Sequence, residues 1–162
     1  MSLPFGYGEF NVSSLALVNQ YIPDRTKATS EITRVVKAGG GGVAAYVWPA
    51  LGDGHPMQPL TDAVKSIGVS QSCPPGNQIR TIETLTELFL ASGLEDIENR
   101  AMEFPLTYKD CDDYWLAQTV ETIRNVSDGE IERLKAVLLE RLGVGEISYT
   151  ARANAIKGHL PT

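Results

Sequence analysis

The sequence predicts an α/β fold with a mostly parallel sheet. Three observations carry this reading. Strand-length, largely apolar runs recur at Phe10 to Val18 (FNVSSLALV) and Val43 to Trp48 (VAAYVW), and Leu94 to Phe104 leads into a third strand. Segments of helical periodicity lie between them. Strands and helices alternate along the chain, an order that buries helices against the faces of a sheet.

Phe10 to Val18 is short, mostly apolar and bounded by turn residues, as a buried strand should be. Pro23-Asp24 ends it, and Asp24 is a good helix N-cap. Ala28, Ile32, Val35 and Val36 then fall on one helical face. That helix is expected to run to Lys37-Ala38, with a base at its negative end and a glycine cap. Val43 to Trp48 is apolar throughout, as a strand covered on both faces requires. Pro49 to Pro56 reads as a loop, Gln58 to Ile67 as a short helix ended by Gly68, and Ser70 to Asn77 as a second loop. Thr81 caps a helix whose stripe is Ile82, Leu85, Leu88 and Phe89, and Gly93 closes it. Tyr108 to Asn125 is helical, and Asp110, Asp112 and Asp113 near its start favour the positive end of the helix dipole rather than a metal. Ser127-x-x-Glu130 is a capping box for a helix faced by Ile131, Leu134, Leu138 and Leu142 and ended by Gly143. Glu146 to Lys157 alternates with period two, which marks a last strand.

A length of 162 residues suits a single domain over 1–162, large enough for a real core. Apolar residues make up 43% and charged residues 21%, an ordinary globular composition. The net charge of −6, with no Lys/Arg cluster, argues against nucleic acid and anionic membrane surfaces as partners. No apolar run has the length of a membrane-spanning helix, and the N-terminus lacks a signal-peptide layout, so a cytoplasmic location is expected. Cys73 and Cys111 share no CxxC spacing and stand far from His55 and His159, so neither a metal site nor a disulfide framework is expected. No catalytic residue stands out: neither cysteine has a base nearby in sequence.

Gly39 to Gly42 fits the loose dinucleotide pattern, as Gly39-x-Gly41-x-x-Ala44. A phosphate loop needs a strand before the glycines and a helix after them, so that free N–H groups meet the anion. Here a helix precedes and a strand follows, so the run is expected to serve as a cap and a turn, with at least one glycine at positive φ.

The stretch from Ser2 to Trp48 resembles class I S-adenosylmethionine-dependent methyltransferases. The resemblance rests on Leu3-Pro4-Phe5, on Glu9-Phe10-Asn11-x-Ser13, on Pro23-Asp24-Arg25 and on Arg34-Val35-Val36-Lys37-Ala38-Gly39-Gly40. "TIETLTELFLASGLEDIE" looks like the family's later helix and strand, and "DDYW" (Asp112 to Trp115) and "ARANAIKG" (Ala151 to Gly158) are similar to a small-molecule methyltransferase branch. The resemblance implies an incomplete Rossmann-like methyltransferase fold. Its sheet would be mixed and about four-stranded, in the order first, second, fourth, third, with the last strand antiparallel. It also implies that the chain corresponds to the C-terminal half of the family domain, without the glycine-rich cofactor loop and the ribose acid.

From the resemblance, S-adenosylmethionine is the implied cofactor, with Leu3, Leu15 and Ala16 at remnant cofactor positions, and the chain alone is not expected to hold it. Asn11, Leu15-Ala16 and Ala38 depart from the family pattern at an acid, at a cofactor-touching polar residue and at a proline. Trp48, His55, Tyr114 and Trp115 are the expected substrate-pocket residues, with Asp53 in the same loop as His55. The expected activity is related to methyl transfer to a small molecule but absent in the isolated chain. One alternative is an active enzyme completed by a second polypeptide, and another is a noncatalytic dimer that binds a small apolar ligand. A homodimer through the first strand, Phe10 to Val18, is expected because that strand offers a long apolar edge without Lys or Pro.

Overall fold

The computed structural model describes residues 2–50, 52, 54–69, 80–118 and 126–162. Its elements are β1 (Val12–Ala16), α1 (Arg25–Arg34), β2 (Gly42–Val47), α2 (Gln58–Ser66), α3 (Ile82–Ala91), β3 (Glu95–Tyr108), α4 (Cys111–Gln118), α5 (Asp128–Leu142) and β4 (Ile147–His159), with a 3₁₀ turn at Asn19–Tyr21. The four strands form one mixed sheet in the order β1-β2-β4-β3, the order that the family resemblance implies. β1 runs parallel to β2, and β4 runs antiparallel to it. The expected loop Ser70 to Asn77, Asp53, Cys73 and the distal end of the expected Tyr108 to Asn125 helix lie outside the described residues.

The chain divides into two compact units. The first holds Met1–Ala50, Pro74–Met102 and Arg152–Thr162; the second holds Leu51–Cys73 and Glu103–Ala151.

In the first unit, β1 and β2 pair in register from Val12↔Gly42 to Ala16↔Tyr46. Two backbone bonds bracket the ladder: Gly42 N–H donates to the Asn11 carbonyl and Leu17 N–H to the Tyr46 carbonyl, both at 2.9 Å. The connecting helix α1 starts where expected, with the Asp24 carboxylate accepting the Lys27 N–H at 3.0 Å. It stops at Arg34, short of the expected Lys37-Ala38. Beyond it, Val36 bridges to Phe10, Phe10 N–H reaches the Val35 carbonyl and Lys37 N–H reaches the Phe10 carbonyl. Tertiary pairing thus takes two β-branched valines out of the helix. Leu15, Ile32, Val36, Val43, Val47, Leu85, Phe89 and Ile156 form the core of this unit. Fully burying such a side chain contributes about 1.5–3 kcal/mol.

The glycine run therefore does not cap α1, whose C-cap is Val35. It forms the turn into β2. Gly39 and Gly40 hold φ of 77° and 115°, as expected of at least one of the four. Gly41 is constrained differently: a Cβ there would stand 2.2 Å from both the Lys37 carbonyl oxygen and Val36 Cγ1. The Gly39 and Gly40 N–H groups donate to the carbonyls of Pro161 and Leu160 at 3.2 and 3.3 Å, and Leu160 N–H returns a bond to Gly41 at 3.0 Å. The run is a fastening point for residues 160 and 161.

The second unit packs α2, α4 and α5 with the remaining lengths of β3 and β4. Leu60, Val64, Tyr114, Leu134, Leu138 and Ile147 are at its centre. The capping box of α5 is present, with Glu130 accepting the Ser127 N–H at 3.0 Å. β3 runs through Pro105 to Tyr108, longer than expected. It occupies a sheet edge, where a strand proline is tolerated.

The turn geometry sets an order of glycine sensitivity. Gly41→Ala is expected to cost about 1–3 kcal/mol because backbone must move to admit the methyl. Gly129→Ala, at a helical position with open space around it, should leave stability unchanged or raise it by up to about 1 kcal/mol. Urea unfolding of the two variants checks this, and equal midpoints would refute the steric account.

Candidate functional site

Open α/β sheets bind ligands beyond the carboxyl ends of their strands. In the first unit that end is formed by Ala16 to Gln20 after β1 and by Trp48 after β2. The chain leaves β1 abruptly. Leu17 takes a φ of 55°, in the left-handed region that a leucine adopts at a cost of about 1–2 kcal/mol. Its N–H is still held by Tyr46, and its carbonyl accepts the Gln20 side-chain amide at 2.9 Å. The 3₁₀ turn then carries Asn19 and Gln20 inside, at 0% and 2% exposure. Among the described residues nothing bonds the Asn19 Nδ2 and Oδ1 atoms or the Gln20 Oε1 atom. A buried amide without a partner costs about 1–3 kcal/mol per group, so a turn that keeps two of them suits a polar ligand or bound water.

β4 contributes at the same end. Its register sets Asn154 opposite Val47, the last residue of β2. The Asn154 amide donates to the Arg80 carbonyl at 2.6 Å, just before the capped start of α3. Arg80 itself is only 8% exposed, so this end of the sheet carries a buried cation.

The segment before β1 is clamped to α1. Both Glu31 carboxylate oxygens accept from Arg34, through Nε at 3.1 Å and Nη2 at 3.0 Å. Glu31 also accepts the Leu3 N–H at 2.9 Å and the Ser2 hydroxyl at 3.2 Å. Arg34 in turn donates to the carbonyls of Phe5 and Leu3, and its guanidinium lies 5.0 Å from the centre of the Tyr7 ring. The Arg34 hydrogen bonds, then the Leu3 N–H, hold the Glu31 carboxyl down at about 2. This is the physical role of the Leu3-Pro4-Phe5 and Arg34 positions that carry the resemblance.

The residues expected from the sequence divide between the units. Leu3, Leu15, Ala16 and Trp48 are in the first. Leu3 packs half-buried against the core, Leu15 is a core residue, Ala16 is exposed and Trp48 is half-buried directly after β2. His55, Tyr114 and Trp115 are in the second. His55 is buried, and its Nδ1 accepts the Met57 N–H at 3.0 Å, which places the proton of the neutral ring on Nε2. Tyr114 has no exposed surface. Its hydroxyl accepts the N–H of Leu60, one of the donors left open by the first turn of α2, at 3.2 Å. Burial pushes the Tyr114 and Tyr149 phenols up, and Tyr149 donates to the Pro56 carbonyl at 2.6 Å. Trp115 is half-buried, with the Lys135 ammonium 5.3 Å from its ring centre.

Among the described residues no cluster of His, Cys, Asp or Glu could hold a metal. Burial, with Asp112 and Asp110 alongside, pushes the Cys111 thiol up, away from a thiolate nucleophile. Sequence reading missed Asn19, Gln20, Arg80 and Asn154. The available signal was the adjacent amides Asn19-Gln20 inside the apolar stretch LALVNQYI.

This fold is similar to that of the class I S-adenosylmethionine-dependent methyltransferases. Solved structures share it. A candidate methyltransferase from Bacillus halodurans superposes with a TM-score of 0.57 at 16% identity, over 99% of this chain and 74% of that one. The YcgJ protein from Bacillus subtilis gives 0.58 at 17% identity, over 99% and 68%. A SAM-dependent methyltransferase from Thermotoga maritima gives 0.50 at 14% identity, over 98% and 59%. No family model matches the chain, and no curated protein does. Among the described residues no helix is long and apolar enough to cross a membrane.

The clamp predicts an acid-sensitive N-terminal segment. The Glu31 carboxyl titrates at about 2 in the folded chain, against an ordinary value of 4.5. A depressed carboxyl stabilises the fold fully above its unfolded value and loses that contribution as pH falls toward the folded one. The Leu3 amide resonance should therefore shift, and its protection relative to a free amide fall, as pH drops toward 2. Glu31→Gln should abolish that titration, and a Leu3 amide unchanged down to pH 2 would contradict the clamp.

Proposed function

We propose that these 162 residues form the part of a methyltransferase-type fold that faces a small-molecule methyl acceptor, and that alone they do not hold S-adenosylmethionine. One observation carries this reading. The single glycine-rich run enters a strand rather than a helix, and its four N–H groups donate to the carbonyls of Pro161, Leu160, Lys37 and Asn11, so it offers no anion cradle. The remnant positions fit the cofactor poorly as well: Leu15 is turned into the core, and only Ala16 is exposed. The reading treats the chain as corresponding to the C-terminal half of such a domain.

In a complete site the cofactor would supply the methyl group. This chain's residues would orient the acceptor. Asn19 and Gln20 offer amide donors and acceptors at the end of β1, and Trp48 offers an apolar surface after β2. Methyl transfer proceeds largely by holding two reactants in line, so the absence of an evident general base among the described residues suits this role. A second reading is an enzyme completed by another polypeptide that brings the glycine-rich loop. The unbonded Asn19 amide and the unbonded Gln20 Oε1 at the end of β1 favour it, since they suit a ligand that the isolated chain does not retain.

Calorimetric titration of the homogeneous chain with S-adenosylmethionine is expected to show no binding tighter than about 1 mM. A low-micromolar constant would overturn the proposal.

A further inference from the structure

We propose that Arg152 holds a carboxylate group of the methyl acceptor at the carboxyl end of the sheet, an inference that rests on reading this end as the acceptor-facing one. The register places the residue there. Asn154 is paired with Val47, the last residue of β2. Arg152 lies two residues earlier in β4, one pleat beyond that pair and on the same face of the sheet. The bond from the Asn154 amide to the Arg80 carbonyl, at 2.6 Å, fixes the strand beside it.

The guanidinium there is unmatched. Arg152 is half-buried, and its Nε atom is shielded from solvent and bonds to nothing among the described residues. No carboxylate among them forms an ion pair with it, although the chain has 20 acidic residues against 14 Lys and Arg. Lys157, further along the same strand, is exposed and yet has such a partner, in Glu98 at 3.1 Å. A cation drawn partly out of water without an acceptor is costly, and an entering anion relieves that cost. The end of the sheet that faces ligands is thus where β4 leaves its cation open.

Two arguments make the anion a carboxylate. The Nε and one Nη of a guanidinium form a planar fork that matches the two oxygens of a carboxylate. The fork also fits a phosphate, but phosphate sites add backbone N–H groups from a glycine run or a helix start. Here the N–H groups of the glycine run are engaged. The start of α3, next to Arg80, is closed as well: Thr81 Oγ1 accepts the Thr84 N–H at 3.3 Å, and the Glu83 carboxylate accepts its own N–H. With a negative charge already standing at Glu83, a dianion is disfavoured more than a monoanion.

The arginine Nε–H resonances of the 162-residue chain, followed during titration with benzoate, test this. The Arg152 signal should move and saturate with a constant of about 1–10 mM. The Arg34 signal, whose Nε is already bonded to Glu31, should stay fixed. Benzamide, the neutral analogue, and inorganic phosphate should each bind roughly tenfold more weakly or worse. Arg152→Gln, with the circular dichroism of the parent, should lose the response to benzoate read at the Asn154 backbone amide. Arg152→Lys keeps the charge but not the fork and should weaken benzoate roughly tenfold; it stands in if Arg152→Gln does not fold. No saturating shift at about 100 mM benzoate overturns the inference. Equal binding of benzamide, tighter binding of phosphate, or an unchanged response in a folded variant overturns it too. No cofactor enters this titration. A low-micromolar S-adenosylmethionine constant would therefore sink the proposed function and leave a benzoate response standing, and a failed benzoate titration would do the reverse.

Discussion

The parallel pairing of β1 with β2 is the constraint on which the first unit depends. A strand alternates twice, once in the direction of its backbone groups and once in the direction of its side chains. In β1 the two alternations coincide. Ser13 and Leu15 bond to β2 and turn inward, Ser13 donating to the Ile32 carbonyl and Leu15 entering the core. Val12, Ser14 and Ala16 face outward in both senses. A slip of one residue would expel Leu15 and bury Ser14, so the register is fixed by the single buried apolar residue of a five-residue strand. Leu17 then closes the ladder and, in the same residue, turns the chain into the polar turn at the sheet's carboxyl end. Pairing, strain and the candidate site are thus consecutive along six residues.

Much of the architecture was legible in the sequence for local reasons. Asp24, Thr81 and the Ser127/Glu130 box each bond within three residues of their own position, so their roles follow from spacing. The glycine run could be rejected as a phosphate loop from chain direction alone. The strand order came from family resemblance, and the observed β1-β2-β4-β3 sheet agrees with it. What escaped was set by distant partners. The end of α1 is decided by Phe10, about 25 residues earlier in the chain, which draws Val35 and Val36 into pairing. The glycines are held by residues 160 and 161, at the other end of the chain. Tyr114 reads as an aromatic on an acidic helix, yet its hydroxyl serves the first turn of α2. No periodicity carries such information.

The site was the least legible part. Leu15 and Ala16 were legible as strand residues, but only the register shows that one faces the core and the other solvent. Asn19 and Gln20 sit in a turn whose burial depends on the left-handed Leu17 before them. A fold shared with methyltransferases does not by itself supply their activity, because function resides in the groups placed on a fold. The candidate groups at the carboxyl end of this sheet are amides, an indole and a buried guanidinium, side chains that keep one protonation state at neutral pH.

Amide hydrogen exchange along residues 12–17 tests the account most directly, because it reads the direction of each backbone group. In a dilute sample Ser13, Leu15 and Leu17 should exchange slowly, while Val12, Ser14 and Ala16 exchange fast. Uniform protection of all six in the dilute sample, or the reverse alternation, would contradict a strand bonded on one side and open on the other.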